Sequence, residues 1–280
     1  MSIELTTKYK PYTDEVFAAE SKTSLLTNND IDWTGAKTVK VYKVTTAPMN
    51  DYDRAGTGSN WSRYGAVAGL DATTEEFMLK KDRSFTFAID KLDEDETAQQ
   101  LAAASALARQ QREVVIPEID KYTYGVMCEN AGYKPDPVTI NTDTALYTEI
   151  LKASEALDDA EVPDTGRVLV VTPAIYHMMK IDPYIMLNTD IAENMRLKGV
   201  IAMMDGATVV KVPANRLPKD FCFMLCHPCA TVAPKKLADT NMHQNPPGIS
   251  GSLVEGRFCY DAFVLENKAK AIYYQTMTTE

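Results

Sequence analysis

The chain has 280 residues, 45% of them hydrophobic, enough for one large core or two small ones and too many for a disordered chain. Its 29 Lys and Arg face 39 Asp and Glu, a net charge of −10; this argues against a protein that grips phosphates through a basic face and suits one kept soluble at high concentration. Met1–Lys10 carries no apolar leader and no run of about 18 apolar residues occurs, so neither a secretory signal nor a membrane helix is expected, and the five cysteines predict free thiols in a reducing compartment.

Residues 1–36 are polar, with a short helix expected around Asp14–Ser21. The segment reads as an arm that lies on something else. Lys37–Val44 alternates and is rich in β-branched residues, which predicts a strand. Residues 47–72 follow, rich in Gly, Asp, Asn and Ser, and a second strand is expected to return through Thr73–Lys80. A two-stranded hairpin is marginal in water by itself. The excursion is therefore either a surface loop or a hairpin completed by a neighbouring subunit. On the second reading its candidate contact residues are the apolar points Trp61 and Tyr64 and the cations Arg54 and Arg63.

Arg83–Asp90 is a predicted strand with Phe85, Phe87 and Ile89 on one face. The acids Asp93–Glu96 are expected to precede a helix over Ala98–Val115, where their charge favours the N-terminus. Leu101, Ala104, Ala108, Val115 and Ile119 would form its apolar stripe. Pro117 should kink or interrupt the helix, whose character resumes at Glu118 and stops by Gly132; roughly 35 residues would span about 50 Å, a structural spine.

Asp136-Pro137 marks a boundary. Asp143–Asp158 predicts an amphipathic helix with Leu146, Ile150 and Leu157 inward and Glu149, Lys152 and Glu155 outward. Gly166–Val171 predicts a buried strand, and Thr172-Pro173 an N-cap and first-turn proline for the next helix. Lys198–Met204 and Ala207–Val212 should pair as a hairpin around Asp205-Gly206. Phe221–Cys226 and Thr231–Ala233 are expected short strands. Arg257–Leu265 and Ala269–Tyr274 are expected to form a last hairpin around Asn267-Lys268.

Cys222, Cys226, His227 and Cys229 are the right residue types for zinc, but Cys222, Met224 and Cys226 fall on one face of an alternating strand, and no second CxxC lies at finger spacing. A core strand is the expected reading. Asp51–Gly56 opens like a calcium loop yet carries Ala55 and Ser62 where the pattern needs acidic or amide ligands. Phosphate-loop and dinucleotide glycine patterns are absent. His177, His227 and His243 lack a nucleophile-elbow partner. The acidic run is explained by helix capping rather than by a carboxylate pair for catalysis. No catalytic, cofactor or metal site is predicted.

Four segments together carry a family likeness: Asp82–Thr97, Val114–Tyr122, Gly206–Pro213 with Arg216–Pro218, and the terminal stretch of Phe223–Leu237, Asn245–Leu265 and Asn267–Tyr274. In that order and spacing they resemble tailed-phage major capsid proteins of the Hong Kong 97 phage fold, over about residue 35 to the end. The resemblance implies an α+β chain in four parts: an N-arm at 1–36, an extended E-loop hairpin at 37–82, a P-domain from 83–136 and 245–280 with the spine helix, and an A-domain at 137–244. It implies a non-enzymatic subunit of hexamers and pentamers in an icosahedral head that encloses double-stranded DNA without reading its sequence. The expected partners are other copies of the chain, scaffolding and portal proteins, with assembly in the host cytoplasm, residence in the virion and no membrane. Residues 48–72 contain no lysine, unlike the cross-linking type member, and no long helical scaffolding segment precedes the arm, so separate or removed scaffolding is expected. An encapsulin-like nanocompartment shell shares the fold. A soluble α/β enzyme is the reading from another class, resting on Val168–Val171 followed by a proline-initiated helix.

Overall fold

The structure, a computed structural model, describes residues 21–28, 38–44, 46–56, 62–67, 69–70, 72–96, 103–140, 143–181 and 203–278. The chain divides into two compact units: Trp33–Lys80, and the remainder, Met1–Asp32 with Lys81–Glu280. Asp14–Glu20 of the expected helix, the start of the spine at Ala98 and the strand residues 198–202 lie outside the described residues, and Ser21 is not helical.

The smaller unit holds one antiparallel pair, β1 (Thr38–Val44) and β2 (Ala72–Met78). In the larger unit, β3 (Lys81–Asp90) leads into a short helix α1 (Lys91–Glu96). The acids at Asp93–Glu96 are therefore themselves helical, ahead of the spine in sequence, and residues 97–102 between the two lie outside the described residues. Asp90 supplies the cap: its carboxylate accepts from Leu92 N–H at 2.9 Å, satisfying a donor that the first turn leaves open.

The spine is α2 (Ala103–Gln110), a π-helical turn at Gln111–Val115 and α3 (Ile116–Glu129), about 40 Å at 1.5 Å per residue. Pro117 does not interrupt it. Pro117 has no N–H and its ring crowds the carbonyl four residues back. The widened turn just ahead removes the conflict: Ile116 N–H donates to Gln111 O, five residues back, a π bond. A π turn adds a residue and so rotates the helix face before it relative to the face after it. Val115 and Ile119 are accordingly half-buried while Ala108, expected on the same stripe, is exposed.

Two sheets organise the larger unit. The five-stranded sheet runs β12-β7-β4-β6-β5, where β4 is Val168–Val171, β5 Met203–Met204, β6 Ala207–Lys211, β7 Phe221–Cys226 and β12 Ile272–Thr276. The continuous apolar run of β4 makes sense because both faces are covered. On one face, Leu169, Val171, Phe223, Leu225 and Tyr273 pack against Leu146, Ile150, Ala153 and Leu157 of α4 (Asp143–Asp159) and Ile175 and Met179 of α5 (Pro173–Ile181). On the other, Val168, Val170, Met224, Cys226 and Ile272 pack against Tyr124, Met127 and Cys128 of α3 and against Leu26. The expected inward residues of α4 are at most 2% exposed, and only Glu149, half-buried, departs from its outward set. Thr172 caps α5 by accepting from Ile175 N–H at 3.3 Å. Asp205 and Gly206 turn β5 into β6 with φ of 47° and 74°, the positive-φ pair that a tight hairpin demands.

The three-stranded sheet is β3-β10-β9, with β9 at Lys235–Gln244 and β10 at Gly251–Tyr260. The strand β9 is absent from the sequence reading. The expected last hairpin does not form either: β11 (Phe263–Val264) pairs with β8 (Thr231–Val232), a 3-10 turn occupies Glu266–Ala271, and β12 pairs with β7. The last strand is thus drawn into the five-stranded sheet, where Ile272 is fully buried, rather than folding on its sequence neighbour. Among the described residues no helix is long and apolar enough to cross a membrane.

Candidate functional site

The smaller unit is a hairpin with almost no interior. Cross-strand ion pairs stiffen its stem: Lys40 faces Glu76, and Lys43 reaches Glu75 diagonally at 2.9 Å, the sheet counterpart of helical side-chain pairs. Phe77 is buried. Beyond the stem the described part of the excursion has a built shape. Asp53 N–H donates to Arg63 O at 2.9 Å, and the Asp53 carboxylate accepts from Gly56 N–H at 2.8 Å. Gly65 N–H donates to Ser62 O at 3.2 Å. Gly56 and Gly65 sit at φ of 69° and 88°, a conformation that glycine adopts without strain. The rings of Tyr52 and Tyr64 meet edge to face, with centroids 5.0 Å apart.

Of the sequence-predicted contact residues, Arg54, Arg63 and Tyr64 all lie exposed on this excursion, and Trp61 lies outside the described residues. Arg63 flanks Gly56, and Tyr64 is 78% exposed. The sequence reading missed Met49, Tyr52, Val67 and Leu70, every one more than half exposed. Pro48-Met-Asn-Asp-Tyr could have flagged Met49 and Tyr52, since these are large apolar residues inside an otherwise polar stretch. The result is a hairpin that exposes five large apolar side chains, Tyr52 and Tyr64 of them in contact, and two arginines. Several large apolar side chains exposed on one short excursion mark a candidate docking face.

The larger unit holds the cysteines, histidines and acids whose types could support chemistry. Cys222, Cys226, His227 and Cys229 do not converge. The sequence places Cys222 on the face of Met224 and Cys226; the structure places it on the opposite face, with Phe223 and Leu225. A β-bulge causes this: Gln275 pairs with Phe223 and Thr276 with Phe221, so Cys222 is the extra residue. Burial pushes the Cys128 and Cys222 thiols up to about 12 and the Cys226 thiol further up, which keeps them protonated and unreactive at neutral pH. His227 caps a short turn: Nδ1 accepts from Cys229 N–H at 3.2 Å, so Nε2 carries the proton and donates to Thr165 O at 3.1 Å. His177 is exposed, and His243 lies 3.6 Å from Glu255 across the β9–β10 pair. A cleft of about 640 Å³ beside α4 is lined by Asp158, Glu161, Asp164 and Asp205. The buried Arg167 pairs with two of these carboxylates, Asp158 at 2.7 Å and Asp164 at 3.0 Å, and also donates to the Val162 and Pro163 carbonyls. Among the described residues no three His, Cys, Asp or Glu side chains are placed to hold a metal ion.

The sequence gives no hint of the buried pair of Arg216 and Asp120, 2.8 Å apart and almost fully enclosed. It joins α3 to the turn after β6. Both residues stand within segments that carry the family likeness.

No family model and no curated protein matches the chain. Solved structures do. A chain from Mycobacterium phage Che8 is 17% identical, covers 97% of this chain and 96% of its own, and superposes with a TM-score of 0.77. The capsid of cyanophage P-SCSP1u gives 15% identity, coverage of 99% and 94%, and 0.75. A virus-like particle from Pyrococcus furiosus gives 10% identity, coverage of 91% and 92%, and 0.56. At such identities the shared property is the fold. It is mixed α+β and is the phage capsid fold that the sequence resemblance implies.

Proposed function

We propose that the chain is the major capsid protein of a tailed phage, a subunit that assembles with copies of itself into the hexamers and pentamers of an icosahedral head around double-stranded DNA. The observation that carries this reading is the hairpin unit: a two-stranded excursion that displays Met49, Tyr52, Tyr64, Val67 and Leu70 to solvent, on a chain whose whole length follows capsid structures. Such a surface gains its stability from a neighbour. Trp61, Tyr64, Arg54 and Arg63 are the inter-subunit contacts of this reading. Its four parts are those that the resemblance implies, the N-arm at 1–36, the E-loop at 37–82, the P-domain at 83–136 with 245–280, and the A-domain at 137–244. Scaffolding and portal proteins are its further partners, the host cytoplasm its place of assembly and the virion its destination. No catalytic centre, cofactor or metal belongs to it.

A second reading is a nanocompartment shell, favoured by the match to the Pyrococcus furiosus virus-like particle. The contents of purified particles separate the two: nucleic acid for the first, a cargo enzyme for the second.

The hairpin is tested by deleting 50–70 and closing the strands with Asn-Gly, a sequence suited to a two-residue turn. The variant should remain folded and soluble by circular dichroism, since the larger unit has its own core, and should form no stable shells by electron microscopy. Normal shells from the deletion would remove the hairpin from the assembly account.

A further inference from the structure

The segment Ser21–Asn28 closes over the buried Asp120–Arg216 pair. Asp120 accepts at one oxygen from Ser21 Oγ at 2.6 Å and Thr23 Oγ1 at 3.3 Å, and at the other from Arg216 at 2.8 Å. Two hydroxyls of the segment thus supply what water would otherwise give that carboxylate. Leu26, fully buried, fills the core beside Tyr124 and Met127 of α3. Asn28 N–H then donates to Thr231 O at 2.7 Å, where a parallel bridge to Val232 ties the segment to β8.

Opposing forces act at this junction. The closed form keeps an ion pair out of water, which costs desolvation. It also buries the Tyr124 hydroxyl, one helical turn from Asp120, with no hydrogen-bond partner among the described residues, and both members of the ion pair act on that hydroxyl electrostatically. Opening would hydrate all three groups. Leu26 burial, the two hydroxyls on Asp120 and the bond to Thr231 hold the segment shut. We infer that Ser21–Asn28 is a releasable latch on the spine helix: closed, it seals the Asp120–Arg216 junction and fixes α3 against the five-stranded sheet; released, it hydrates the junction and loosens α3 while the sheet stays folded. The latch lies wholly within the larger unit, so it stands whether or not the chain builds a shell.

Native-state hydrogen exchange of the full chain at increasing denaturant tests this. The amides of Leu26 and Asn28 and those of α3 from Asp120 to Tyr124 should exchange through one shared partial opening. Its denaturant dependence should be shallower than that of β4 and β7. A Ser21→Ala, Thr23→Val double variant, which keeps the apolar contacts, should increase that opening about tenfold at both places and leave β4 and β7 unchanged. The inference is overturned if the α3 amides keep the protection of the sheet while the segment opens alone. It is equally overturned if all these amides exchange only in global unfolding, or if the double variant moves the segment and α3 by different factors.

Discussion

Replacing Arg216 with methionine should lower the unfolding free energy by about 3–5 kcal/mol, among the largest losses available to a single substitution in this chain. Arg216 is 5% exposed and Asp120 only 1%, so removing the cation strands a carboxylate where water does not reach. Ser21 and Thr23 still donate to it, but hydrogen bonds from hydroxyls do not replace a full positive charge. The size of the effect comes from the orphaned charge, not from the pair being strongly stabilising. A double variant, Arg216→Met with Asp120→Leu, should therefore recover most of the loss, since the two apolar side chains refill the same space. Urea denaturation of the single and double variants checks both parts. A loss below about 1 kcal/mol in the single variant would mean that the junction is wet and the ion pair solvated.

Gly251→Ala should cost a similar amount, about 3–5 kcal/mol, for a reason unrelated to charge. Gly251 opens β10 opposite Asp90, with φ of 147°. A Cβ there would stand 2.1 Å from Ile89 O and 3.0 Å from Asp90 Cα. Both are backbone atoms of the paired strand and cannot swing aside as a side-chain tip would, so the β3–β10 register would have to yield. Gly206 is the control: its φ is 74° but nothing among the described residues lies within 4 Å of its missing Cβ, and asparagine tolerates that conformation. Gly206→Asn should cost under about 1 kcal/mol, and thermal denaturation of both variants makes the comparison. Equal losses at the two positions would show that backbone conformation alone matters and that the close approach at Gly251 relaxes freely.

Where the local pattern and the tertiary environment agree, the sequence is readable. Val168–Val171 is uninterrupted apolar because both its faces are covered, α4 shows its buried stripe, and Thr172-Pro173 and Asp205-Gly206 mark a helix start and a turn through their own chemistry. What is not readable depends on distant partners. Lys235–Gln244 has one β-branched residue and no clean alternation, and it becomes β9 only because β10 lies beside it. Ile272–Thr276 leaves the neighbour it follows in sequence for β7, some fifty residues earlier, because that position buries Ile272 and Tyr273. Cys222 changes face through a bulge that no residue type announces. Asp120 and Arg216 are 96 residues apart, and nothing local marks either as buried. The candidate contact site is half legible for a similar reason. The polar, glycine-rich excursion marks itself as unable to make a core, and Arg54, Arg63 and Tyr64 are visible within it. Which other apolar side chains it turns outward depends on the turns at Gly56 and Gly65.

The central claim is self-assembly, and sedimentation velocity of the purified full-length chain over a wide concentration range, followed by electron microscopy of each fraction, tests it most directly. The account predicts species far larger than one chain, with hexamers or pentamers at low concentration and closed icosahedral shells as concentration rises. A single-chain species at every concentration, with no particles in any fraction, would contradict it.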